Sequence, residues 1–141
     1  MITTVKLNDL HAILVHRINN RKCINILSEN IVKDNIYNNI PIQHLLCNLK
    51  DVPHIPYVND DKETYIRYMK SAGEYAGFGL EHSFEIFDNL IKNFKYLESP
   101  YEDDYITCKI MFNRLVIVNG LHRASILSDL KVENVKIKIV T

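Results

Sequence analysis

Leu115-Val-Ile-Val-Asn-Gly-Leu-His-Arg-Ala-Ser-Ile-Leu127 decides how this chain is read. The run Leu115 to Val118 is continuously apolar, as an inner strand requires. Asn119-Gly120 is a bend signal, and His122 to Leu130 then reads as a helix. Where a strand turns directly into a helix, the first N–H groups have no intrahelical partner, and the positive end of the helix dipole lies behind them. The backbone from Gly120 to Arg123 is therefore a candidate anion cradle. The His122 and Arg123 side chains stand where they could add donors, Arg123 with a planar fork suited to phosphate or carboxylate. The same residues allow a plainer reading, in which Asn-Gly is an ordinary turn and Arg123 pairs with an acid.

Working outward, Ser83 to Phe94 places Phe84, Phe87, Leu90, Ile91 and Phe94 on one helical face. Tyr105 to Phe112 alternates, with Ile106, Cys108, Ile110 and Phe112 on one side and Thr107 and Lys109 on the other, which predicts a half-buried strand. Asn113 supplies a short turn into Leu115. Val135 to Val140 alternates again with Lys136 and Lys138 outward. The predicted order is helix, strand, strand, helix, strand.

Asn119-Gly-Leu-His-Arg-Ala124 resembles the Asp-Gly-x-His-Arg-x-Ala signature of ParB N-terminal-like domains, the ParB/sulfiredoxin fold, and the element order is the one found there. The resemblance covers residues 80–141 well and 36–79 loosely. It implies that Asn119, Gly120, Leu121, His122, Arg123 and Ser125 hold the phosphates of ATP or ADP, with CTP as an alternative and magnesium if the protein is catalytic. Two departures matter. The family's Asp before the glycine is Asn119, which cannot act as a base. The helix-turn-helix that follows this domain in ParB proteins has no counterpart up to Thr141. Sulfiredoxin-type chemistry needs a cysteine near the loop, and Cys108 lies outside the motif.

Leu80-Glu81-His82-Ser83 is the second marked feature. Either Ser83 simply caps the helix, or Glu81 or His82 faces the cradle as a general base or substrate clamp. Tyr65-Ile-Arg-Tyr68, Glu81-His-Ser83 and Gly120-Leu-His-Arg123 also resemble motifs of small ParB-like proteins encoded among bacterial cell-surface polysaccharide genes. That likeness implies a nucleotide-dependent phosphotransferase or nucleotide-binding protein acting on a sugar or other small metabolite, distantly similar to ADP-dependent serine kinases. Its catalytic residues would be Glu81, His82 and His122. The alternative is a non-catalytic ligand-binding or regulatory module for a phosphorylated metabolite.

The N-terminal third is less regular. His11 to Ile18 and Cys23 to Leu27 predict strands, Asn35 to Asn39 a loop, and Pro41, Pro53 and Pro56 argue against a central strand or long helix across 41–56. Asp60 to Ala72 predicts a helix with Asp60 and Glu63 as a capping box, Tyr65, Ile66, Met69 and Ala72 as its apolar face, and Gly73 as its end. Gly77-Phe-Gly79 lacks the third glycine and the preceding strand of a dinucleotide loop. The tyrosines could stack on a base or sugar, although such rings more often bury with the hydroxyl wet.

With 141 residues the chain is expected to form one α+β domain, a mixed sheet of about five strands with three main helices. Lys plus Arg equals Asp plus Glu at 17 each, so the net charge is zero and duplex DNA is not an expected partner. No stretch reaches the ~20 apolar residues of a membrane span, and Met1-Ile-Thr-Thr-Val-Lys does not resemble a signal peptide. No membrane partner is expected, and three separated cysteines fit reduced thiols in a cytoplasm. No Cys or His pair has metal-ligand spacing.

Overall fold

A two-residue hairpin sets the frame of the molecule. In a computed structural model, which describes residues 1–17, 30–37, 40–76 and 80–141, strands β5 (Ile106–Met111) and β6 (Arg114–Asn119) are joined by Phe112 and Asn113. Both turn residues are left-handed, with φ of 54° and 58°, as the strand twist demands of so tight a turn. β6 runs through Gly120 into helix α4 (Leu121–Asp129), and β7 (Asn134–Ile139) returns parallel to β5.

The remaining elements are β1 (Ile2–Lys6), β2 (Leu10–Arg17), β3 (Asn30–Tyr37), β4 (Ile40–Asn48), α1 (His54–Val58), α2 (Glu63–Ala76) and α3 (Leu80–Lys92). Among the described residues the sheet has seven strands in the order β1-β7-β5-β6-β2-β4-β3. It is mixed: β2–β6 and β5–β7 are parallel and the other pairs antiparallel. Leu10, Ala12, Leu14, Leu45, Cys47, Ile106, Cys108, Ile117, Val135 and Ile137 build a core with residues of all four helices. The fold is thus α+β, with two more strands and one more helix than expected.

Several expectations need correction. Asn35 to Tyr37 belongs to β3. β4 is a regular strand in spite of Pro41, which sits second in it and pairs with Ile36 of β3; a proline costs a strand little near its start. Pro53 caps α1 and Pro56 lies in its first turn, where N–H groups have no helical partner in any case. Asp60 takes a left-handed φ of 66° three residues before α2, so no capping box forms. Gly73 lies inside α2, which runs on to Ala76, since a glycine weakens a helix interior without breaking it. Ile110 and Phe112 project past the edge of the core and are exposed. The Cys23 to Leu27 strand and Gly77-Phe-Gly79 lie outside the described residues.

Candidate functional site

The sharp end of β6 depends on Gly120. Its φ of +102° is open to glycine and strained for other residues. A Cβ there would also lie 2.9 Å from Arg123 Nη2 and 3.0 Å from Ile106 Cγ1. The glycine therefore allows the Arg123 guanidinium to fold back across the bend. Ala124 N–H donates to the Gly120 carbonyl at 2.9 Å, closing the first helical turn, and no side chain caps the helix. The N–H groups of Leu121, His122 and Arg123 find no partner among the described residues.

The hairpin brings an acid to this bend. The hairpin pairs Cys108 with Ile117 and, past a bulge, Thr107 with Asn119, so Ile106 falls opposite Gly120 and Asp104 lies two residues beyond. Arg123 Nη1 donates to the Asp104 carbonyl and lies 3.2 Å from the Asp104 carboxylate, while Nη2 reaches the Tyr105 carbonyl at 3.5 Å. Arg123 thus pairs with an acid, as the plainer reading allowed, yet it does so at the bend and still lines the pocket there.

That pocket, of about 570 Å³, opens between α2, α3 and the start of α4. Met69, Ile86, Phe87 and Leu90 form apolar walls; Tyr65, His122, Asp104, Asn119, Gly120 and Arg123 supply the polar groups. α3 presents this wall because Phe84, Phe87, Leu90 and Ile91 fall at helical spacing and pack on the core. Ile86, just off that face, is left 53% exposed at the pocket.

Beneath the pocket lies a packed group of rings. Phe87 stacks on Tyr57 at 4.7 Å and meets the edge of His122 at 4.7 Å; His122 also meets His54 at 4.9 Å. His122 Nε2 and the Tyr65 hydroxyl are 3.0 Å apart. Burial pushes His122 down to about 4, so its imidazole is neutral at pH 7. Burial, with His122 close by, also holds His54 well below the ordinary histidine range, and His54 Nδ1 has no hydrogen-bond partner among the described residues. Tyr57 donates to Asp88 at 2.7 Å, and Lys62 approaches the same oxygen at 3.3 Å. Desolvation raises the Tyr57 and Tyr65 hydroxyls above the normal tyrosine range. The structural reading of these tyrosines, rings buried, holds for Tyr57, Tyr65 and Tyr68.

The expected site residues thus divide. Asn119, Gly120, His122 and Arg123 converge on the pocket. Leu121 contributes its N–H, and its side chain packs against the core. Ser125 is fully buried and donates its hydroxyl back to the Leu121 carbonyl at 2.8 Å, so it faces away from any ligand. His122 offers a neutral ring to Tyr65 in place of a cationic donor to an anion. Glu81 and His82 lie in the first turn of α3, the helix that carries Ile86 and Phe87, and their side chains lie outside the described residues. α3 begins at Leu80, so Ser83 is inside the helix and not its cap. Asp104 and His54 went unmarked in the sequence. Hairpin counting would have found Asp104; nothing local signals His54, a histidine between two prolines.

Burial lifts the Cys108 thiol to about 11, the opposite of a reactive cysteine. Among the described residues no group of three His, Cys, Asp or Glu could hold a metal ion, and no helix is long and apolar enough to cross a membrane. No family model matches the chain, and comparison with curated proteins and with solved structures returned no match.

Proposed function

We propose that this chain binds a phosphorylated small molecule, a nucleotide foremost, in the pocket at the start of α4. The observation that carries the reading is the convergence of unpartnered Leu121, His122 and Arg123 N–H groups with the Arg123 guanidinium beside otherwise apolar walls. One end of such a pocket solvates an anion, and the other buries a base or another apolar body. The likeness of Asn119 to Ala124 to the ParB-like phosphate loop supports nucleotide phosphates there, and membership of the ParB-like fold is part of the same proposal.

Binding is better supported than phosphoryl transfer. The cationic complement is small: Arg123 is already balanced by Asp104, and His122 is neutral. A nucleotide-dependent phosphotransferase, acting on a sugar or other metabolite in surface-polysaccharide synthesis, is favoured by one observation. The Asp104 carboxylate lines the same pocket and could hold magnesium with the phosphates or orient an acceptor hydroxyl, work that Asn119 cannot do as a base.

A thermal-shift panel of ADP, ATP, CTP, nucleoside monophosphates and sugar phosphates, with and without magnesium, tests the reading. At least one of these should raise the melting temperature. Ile86→Glu, an exposed position that sets an anion against the ligand, should abolish the shift and leave the unliganded melt unchanged. A panel without any shift, or one that Ile86→Glu leaves intact, overturns it. If the protein is an enzyme, Asp104→Asn should stop turnover while ligand-induced stabilisation persists.

A further inference from the structure

All four helices pack on one face of the sheet. The other face, over β1, β7 and β5, is open. The β1–β7 register places Ile2 beside Lys138, Thr4 beside Lys136 and Lys6 beside Asn134. Thr107 of β5 aligns with Lys138, which sets Lys109 on the same face two residues on. Lys6, Lys109, Lys136 and Lys138 are all exposed, and among the described residues none of them meets a carboxylate.

Charge is segregated across the fold. Strands β1, β2, β5, β6 and β7 contain no Asp or Glu, although the chain has 17. Nine of the 17 acids lie on α2, α3 and the segment from Glu98 to Asp104; the others are scattered along the sequence, with Asp9 and Glu133 just outside β1 and β7. A chain of zero net charge thus presents one basic face, and charge balance over the whole sequence conceals it.

We propose that this lysine-bearing face docks on an anionic lipid surface. Lysines are flexible point charges that respond to charge density more than to the shape of a particular acid. The neutral residues among them are Ile2, Thr4, Thr107 and Asn134, so no ring is placed to stack a base as single-stranded nucleic acid requires. Met1 and Ile2, 77% and 51% exposed, stand at the sheet edge beside Lys138, where apolar side chains can enter the headgroup layer. Of the helices on the opposite face only α3 carries an excess of acids, Glu81, Glu85 and Asp88 against Lys92, which favours one orientation on a negative plane. The segregation also leaves the pocket at the start of α4, on the helical side, turned away from the membrane.

Co-sedimentation of the purified chain with phosphatidylcholine vesicles, with and without phosphatidylserine, tests this. Binding should require phosphatidylserine and weaken as salt rises. Each lysine near an anionic surface is worth about fivefold in affinity, so neutralising Lys136 and Lys138 together should cost about 25-fold. Lys136→Glu with Lys138→Glu should cost more, and Lys6→Glu with Lys109→Glu provides an independent pair should the first fail to fold. Lys70→Glu, on exposed α2 surface, should bind as the parent does. Failure to bind phosphatidylserine vesicles at low salt, equal binding to pure phosphatidylcholine, or retention by both charge-reversed pairs overturns the proposal. Binding to single-stranded RNA under conditions where vesicles are not bound overturns it as well.

Discussion

The two faces of the sheet solve opposite problems with the same strands. On the helical side Phe87, Tyr57, Tyr65, His54 and His122 are packed ring against ring, two imidazoles are held neutral, and a pocket remains at the rim. On the other side, over β1, β7 and β5, four lysines, Thr4 and Asn134 stand in solvent. The contrast teaches that stability and recognition are divided here: packing energy is concentrated on one face, and unpaired charge is left free on the other.

The largest expected effect breaks the packed side. Phe87 is fully buried at the centre of the ring cluster, and Phe87→Ala should destabilise the fold by about 3–5 kcal/mol. Lys109→Ala on the open face should stay within about 0.5 kcal/mol. Urea unfolding of both variants checks the pair; comparable costs would show that the open face is packed after all.

Next is pH. A buried neutral imidazole takes up its proton only on unfolding, so below the ordinary histidine value the unfolded chain binds more protons than the folded one. Stability should therefore be complete above pH 6.5 and fall as pH drops to about 4, the folded value of His122, by on the order of 3 kcal/mol. His54 adds in the same direction. His122→Phe should flatten part of this slope, whereas Lys138→Gln on the open face should not; equal slopes in all variants would remove the histidines from the account.

The smallest effect sharpens the comparison at the rim. Gly120→Ala must hold a left-handed φ and displace Arg123 or Ile106, a cost of about 1–3 kcal/mol. Because it disturbs the bend more than the core, it should reduce ligand-induced stabilisation by a larger fraction than overall stability. An unchanged ligand response would detach the bend from binding.

Local pattern was enough where a segment's neighbours in space are also near in sequence. The Leu115 to Leu127 strand, bend and helix, the hairpin at Asn113 and the faces of α2 and α3 were legible, because period and turn chemistry act over a few residues. The same patterns erred where an end of an element was set by contacts from afar: α2 runs through Gly73, α3 starts before Ser83, and β4 tolerates Pro41. Within the site, the glycine bend and the unpartnered N–H groups follow from sequence. Tertiary structure decided that Arg123 meets Asp104, that His122 is enclosed by Phe87, His54 and Tyr65 and so loses its charge, and that Ser125 turns inward. It also decided the charge of each face. Seventeen acids and seventeen bases fix the sum at zero, but only strand order and register place the lysines of β1, β5 and β7 side by side, since neighbours across a sheet are assembled from distant parts of the chain.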